Sequence, residues 1–143
     1  MEKAKLLYQG LILEYNRNPL YFEKRAAAAV EIEAWNPVCG DKFKLFLDLS
    51  GSKVVQASFH GYGCAVSKAS ASVLMKKIQG LPLDEISTLA SGFLAHFQPG
   101  ASSETDDPEL AAFLPARAFP GRLRCATLAW EALADYLKQL PAP

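Results

Sequence analysis

The spacing of apolar positions along the chain switches between helical and strand periods, and each switch marks an element. Leu6, Leu7, Leu11 and Leu13 recur with amphipathic spacing over residues 3 to 16, and Asn16-Arg17-Asn18-Pro19 stops the run, which predicts a first helix. An irregular link follows. From Ala28 the period drops to two, with Val30, Ile32 and Ala34 alternating against Glu31 and Glu33 up to the break at Trp35-Asn36-Pro37, as in a half-buried strand. Lys42 to Leu49, with Phe43, Leu45 and Leu47 on one face, and Lys53 to Phe59 flank the turn formers Ser50-Gly51-Ser52, so these runs predict a hairpin. Together the three runs make a three-stranded antiparallel sheet.

Beyond Gly63 the period is helical throughout. Ala65 to Gln79 has no internal Gly or Pro and stops at Gly80. Asp84 to Phe97 carries Ile86, Leu89, Ala90, Phe93 and Leu94 on one stripe, with Gly92 as a weak point. Gln98 to Asp107 is polar and rich in turn formers, which predicts a surface loop. Asp107-Pro108-Glu109 then has the order of a helix start, and a short helix to about Arg117 is expected. The last helix is predicted from near Arg122 to Leu140, with Leu123, Thr127, Trp130, Ala134 and Leu137 on its apolar stripe. Strands first and helices after define an α+β fold, a small three-stranded antiparallel sheet with helices packed on one face. At 143 residues, without repeats, the chain reads as a single domain, 1–143.

Composition narrows the function classes. Fifteen Lys plus Arg balance fifteen Asp plus Glu, which removes the electrostatic case for a nucleic-acid or anionic-membrane partner. Gln9, Glu14 and Tyr15 interrupt the N-terminal apolar residues before they reach signal-peptide length, and no run approaches the ~20 residues of a membrane helix. A soluble, cytoplasmic protein is expected. Cys39, Cys64 and Cys125 are odd in number and widely spread, which argues against a disulfide framework and leaves thiols available for chemistry.

The stretch SFHGYGCAVSKASASVLM, Ser58 to Met75, concentrates the candidate chemistry. As a phosphate loop it fails: Gly61, Gly63, Ser67 and Lys68 miss the Walker spacing, and a dinucleotide fingerprint would need a third glycine. As a reactive-thiol site it fares better. Cys64 directly precedes a predicted helix and Cys125 falls in the first turn of another, beside Arg122 and Arg124, where helix amides and cationic side chains favour a thiolate. The available bases are His60 and His96, and no group that would orient either can be named. A third reading joins the three cysteines to Asp41. The bend at Gly40 lets Cys39 and Asp41 converge, and four such ligands suit tetrahedral zinc or an iron-sulfur cluster. No C-x-x-C pair is present, so three unrelated buried thiols and a turn-capping Asp41 remain alternatives on the residues alone.

Three motifs resemble one family. NPVCGD (36 to 41), GYGCAVSKASAS (61 to 72) and RLRCATLAW (122 to 130) are similar, in the same order, to the N-P-x-C-G-D, G-x-G-C-x-x-S-x-A-S-A-S and C-x-T-L-x-W signatures of the U-type iron-sulfur cluster assembly scaffolds: SufU, IscU and the N-terminal domain of NifU. The similarity runs from LYQGLILEYNRNP to the last helix. It implies that Cys39, Cys64 and Cys125 are the scaffold thiols and that Asp41 is the acidic ligand beside them. Arg124 stands where IscU has a histidine, and the Cys64 to Cys125 interval is longer than in IscU by an insertion placed around 84 to 120, both as in SufU.

The SufU resemblance implies Zn2+ held by three cysteines and an aspartate. It also implies sulfur taken as persulfide from a pyridoxal-phosphate cysteine desulfurase of the SufS kind, for recipient apoproteins or a SufBCD-type scaffold. An IscU-type chaperone partnership is not implied. Cys39 is preferred as the sulfur acceptor, since a loop ligand detaches with less disruption than a helix ligand. The alternatives are a scaffold that assembles a labile [2Fe-2S] or [4Fe-4S] cluster on the same ligands, and a non-catalytic module with structural zinc. Elsewhere, the small face Ala65, Ala69 and Ser72 is expected to allow close helix-sheet packing, Lys68 and His60 to face solvent, and Trp130 to lie in the core. Arg124 is expected either beside the thiolates or exposed at the helix start.

Overall fold

A computed structural model of the protein describes residues 2–38 and 40–140, with side chains from Gly10 onward. Its elements, in chain order, are α1 (Glu2–Arg17), β1 (Val30–Asn36), β2 (Asp41–Ser50), β3 (Lys53–Tyr62), α2 (Ala65–Ile78), α3 (Leu83–Ala95), the one-turn α4 (Pro108–Ala111), a 3-10 turn (Leu114–Ala118) and α5 (Pro120–Lys138). The strands form an antiparallel sheet in the order β1-β2-β3. This is the expected α+β architecture, and among the described residues no helix is long and apolar enough to cross a membrane.

Strand alternation sets which side chains meet the helices. Ile32 and Ala34 on β1 pair with Leu45 and Phe43 on β2, and Leu45 pairs in turn with Phe59 on β3, all of them buried. α2 and α5 pack over this face. Trp130 on α5 is fully buried, stacks on Phe93 of α3 at 4.0 Å between ring centroids, and its indole N–H donates to Ser70 Oγ on α2 at 3.0 Å. Ser70 donates onward to the Ala126 carbonyl at 2.5 Å, so one buried serine ties α2 to α5. Burying both polar groups with partners avoids the roughly 1–3 kcal/mol that each orphan would cost.

Four elements differ from their sequence expectation, each for a local reason. β3 continues past Phe59 to Tyr62 because His60 and Tyr62 still pair with Lys44 and Lys42. The link after α1 is not wholly irregular: Phe22 bridges in parallel to Phe59, with Glu23 N donating to Phe59 O and Phe59 N to Tyr21 O, both at 2.9 Å. The chain after α2 adds Val54 N to Leu81 O at 2.9 Å, so both flanking segments cover the open edge of β3. The short helix expected to reach Arg117 ends as α-helix at Ala111, since Pro115 has no N–H and its ring opposes the carbonyl four residues earlier. α5 starts at Pro120 rather than Arg122, where proline suits the first helical position.

The small face of α2 does more than approach the sheet: Ser72 Oγ accepts from Leu20 N at 3.1 Å, anchoring the chain just after α1. An ionic brace holds α4. Glu109 Oε2 accepts from Tyr15 of α1 and from Lys76 of α2, both at 2.9 Å, and Lys77 reaches Asp107 at 2.6 Å. Burial opposes ionisation of Glu109 and Asp107, but the hydrogen bonds and charges of these lysines, with Tyr15 at Glu109 and the Leu110 N–H at Asp107, outweigh it and hold both carboxyls below their ordinary values. A depressed carboxyl stabilises the fold above its unfolded value and loses that contribution as pH falls through the folded one. Stability is therefore expected to decline as pH drops below about 4.5, the ordinary glutamate value, and Glu109→Gln to flatten that decline in thermal melts followed by circular dichroism.

Candidate metal and thiol site

The site forms where three elements end or begin. Asp41 opens β2, opposite Asn36 at the end of β1. The connection between them is shaped by Asn36, which is buried; its side-chain oxygen accepts from Val38 N at 3.2 Å and its carbonyl from Gly40 N at 2.9 Å. Val38 is 94% exposed. Cys39, expected in this loop as ligand and sulfur acceptor, lies outside the described residues.

Cys64 is the residue that caps α2. Its sulfur accepts from Ser67 N at 3.4 Å, the place usually taken by a serine or aspartate oxygen. Two glycines let the chain just before Cys64 pack closely against β2 and Ser67. A Cβ on Gly61 would stand 2.2 Å from the Lys42 carbonyl oxygen, and one on Gly63 would stand 2.6 Å from Ser67 Oγ and 2.7 Å from the Phe43 ring. Gly61 is thus a strand residue pressed against β2 at φ 144. Cys125 is the sixth residue of α5, in its second turn instead of the first, because the helix begins earlier than expected. Its sulfur stands 3.8 Å from the Gly121 carbonyl.

These elements converge. Asp41, Cys64 and Cys125 each offer one ligand atom, and the three atoms lie within 4.8 Å of one another. Ligands about 2.0–2.3 Å from one tetrahedral ion sit about 3.5–3.8 Å apart, so small side-chain rotations would bring this set onto a metal. The carboxylate supplies the test of fit. Asp41 is 3% exposed, and its Oδ1 accepts from Cys64 N at 3.1 Å, whereas Oδ2 is buried with no hydrogen-bond partner among the described residues. A buried carboxylate oxygen left unpaired costs several kcal/mol, and a cation on that oxygen would remove the penalty. Two sulfurs with one hard oxygen are a donor set suited to zinc.

The other candidates fall away from this cluster. His60 lies on β3 opposite Lys44, on the face of the sheet turned from Asp41, and its ring stacks on Phe22 at 4.6 Å. Lys68 also turns to Phe22, with Nζ 5.8 Å from the ring centre, so both side chains rest on an aromatic ring instead of simply facing solvent. Arg124, 54% exposed, pairs with Glu131 at 3.3 Å, which resolves its two expected placements toward the surface. His96 bonds Ser103 Oγ at 2.6 Å and braces the loop before α4. Sequence reasoning gave no role to Ser67 or Asn36; the G-C-x-x-S spacing and the Asn-Pro pair were the available signals.

The fold and the cluster define a class: a small α+β domain that gathers thiols and one buried carboxylate from a sheet end and two helices. The chain belongs to the NifU-like N terminal domain family, whose model matches residues 7–141. It is 32% identical over 131 residues to the zinc-dependent sulfurtransferase SufU of Bacillus subtilis, covering 89% of this chain and 86% of that protein. It is 30% identical over 139 residues to the iron-sulfur cluster assembly scaffold protein IscU of Thermotoga maritima, covering 97% of this chain and 98% of that one. Among solved structures, a candidate iron-sulfur cluster assembly scaffold protein for the SUF system from Fervidobacterium islandicum superposes with a TM-score of 0.76 at 27% identity, over 92% of this chain and 97% of that one.

Proposed function

We propose that the protein works in iron-sulfur cluster biogenesis as a zinc-binding sulfur acceptor, taking persulfide sulfur from a pyridoxal-phosphate cysteine desulfurase. The observation that carries this reading is the convergence of two thiols on a buried carboxylate with an unpaired oxygen, from three separate elements. Family membership and the names of the relatives support it. Asp41, Cys64 and Cys125, with Cys39 as the fourth ligand, would hold the ion, which when bound supplies Lewis acidity that keeps its thiol ligands deprotonated.

The chain's own residues divide the remaining work. Cys64 and Cys125 belong to α2 and α5, whose packing through Ser70 and Trp130 keeps their sulfurs in place. Asp41 is held by the Cys64 amide. Cys39, in the short connection between β1 and β2, is the thiol whose release disturbs least, and we assign it the acceptor role. Its thiolate attacks the outer sulfur of the donor's persulfide, a new S–S bond forms, the donor's S–S bond breaks, and the donor cysteine leaves as thiolate. No external oxidant or reductant is consumed.

The test mixes the protein with a cysteine desulfurase and follows alanine release and the mass of each cysteine peptide. Stimulated alanine release with one added sulfur on Cys39, lost in Cys39→Ser, is expected. Absence of both stimulation and persulfide would overturn sulfur transfer and leave a structural-zinc module. The IscU relative, matched over almost its whole length, favours a second reading in which a [2Fe-2S] or [4Fe-4S] cluster is built on the same ligands for delivery to recipient apoproteins. Anaerobic reconstitution with iron and sulfide, read by visible absorption, separates it from sulfur carriage.

A further inference from the structure

We infer that Ser67 is a positioning residue for the Cys64 sulfur, holding it toward Asp41 and Cys125 through its amide and hydroxyl together. The inference rests on the reading of those three residues as metal ligands. Ser67 is 2% exposed, one turn into α2 from Cys64. Its amide donates to Cys64 Sγ at 3.4 Å, and the Cys64 thiol in turn donates to its Oγ at 3.5 Å. The hydroxyl donates to the Cys64 carbonyl at 3.0 Å.

That carbonyl does not depend on the hydroxyl. It already accepts the helical bond from Lys68 N at 3.0 Å, so the Ser67 proton can turn to the sulfur without leaving a buried acceptor unpaired. A ligating thiolate carries no proton, so within this pair of side chains only the hydroxyl can donate. Walls limit its alternatives: the space where a Cβ on residue 63 would meet Ser67 Oγ and Phe43 is kept open by Gly63 alone. Two donors from one residue on one sulfur orient its lone pairs, the service that outer partners perform for metal ligands generally.

The experiment compares Ser67→Ala with Ser72→Ala, which removes another buried hydroxyl of α2 whose partners are Leu20 N and the Lys68 carbonyl. Zinc affinity is measured by competition with a chromophoric chelator, and the thiolate-to-metal band is recorded in the cobalt(II) form. Ser67→Ala is expected to weaken zinc about 10-fold or more and to shift the cobalt band, with the metal-free melting temperature close to wild type. Ser72→Ala should leave both metal readouts unchanged. Wild-type affinity and an unshifted band in Ser67→Ala, or equal losses in the two variants, would overturn the inference. Failure of the wild-type protein itself to bind zinc would instead overturn the proposed function.

Discussion

Gly61→Ala is expected to destabilise the protein by about 2–6 kcal/mol. Two costs add. At φ 144 an L side chain is strained by about 1–3 kcal/mol, and the new methyl would overlap the Lys42 carbonyl oxygen at 2.2 Å and stand 2.8 Å from Phe43 Cα. Both contacts are backbone, so relief requires β2 and β3 to separate beside Asp41, at a further cost of about 1–3 kcal/mol. The melting temperature should fall by about 10 °C or more, and metal affinity should fall with it because Asp41 and Cys64 lie on the two displaced segments. Gly92→Ala makes the opposite case. A Cβ there meets nothing within 4 Å, and the residue lies inside α3, so alanine should stabilise by about 0.5–1 kcal/mol. Equal melting temperatures for Gly61→Ala and wild type would refute the close-approach argument.

Asp41→Asn should uncouple metal binding from fold stability in a way that a merely structural aspartate would not. Asparagine keeps the acceptor for Cys64 N but removes the buried negative charge whose second oxygen is unpaired. Metal-free Asp41→Asn is expected to be more stable than metal-free wild type, by on the order of 2 kcal/mol. Its zinc affinity should fall by more than about 100-fold, beyond the range seen when only an outer partner of a ligand is lost. Melts with and without zinc check both parts at once: zinc should raise the wild-type transition strongly and that of the variant little. A variant less stable than wild type without metal, and equally stabilised by zinc, would mean that Asp41 serves the turn and not an ion.

Much of the fold was legible because its signals are local. Period-two alternation in Val30 to Ala34 and Phe43 to Leu47 reports which face of a strand is buried, whatever lies against it. The α2 stop before Gly80 and the Asp107-Pro108 start are likewise written in a few adjacent residues. Errors arose where a distant partner decided the outcome. Phe22 bridges to Phe59 because β3 has an edge to cover, and nothing within residues 18 to 29 announces it. Glu109 looks like an ordinary first-turn acid, yet it joins α1, α2 and α4 because the fold brings Tyr15 and Lys76 beside it.

The same division runs through the site. The chain's residues alone determined the candidate thiols, the carboxylate, the glycines around Cys64 and the family these motifs resemble, since each is a matter of residue type and short spacing. Tertiary structure alone decided that Asp41, Cys64 and Cys125 meet within 4.8 Å, that His60 turns to Phe22, and that one buried Asp41 oxygen has no hydrogen-bond partner among the described residues. Segments far apart in sequence converge only through the packing of α2 and α5 on the sheet. A carboxylate's burial is a property of that packing, which no local pattern encodes.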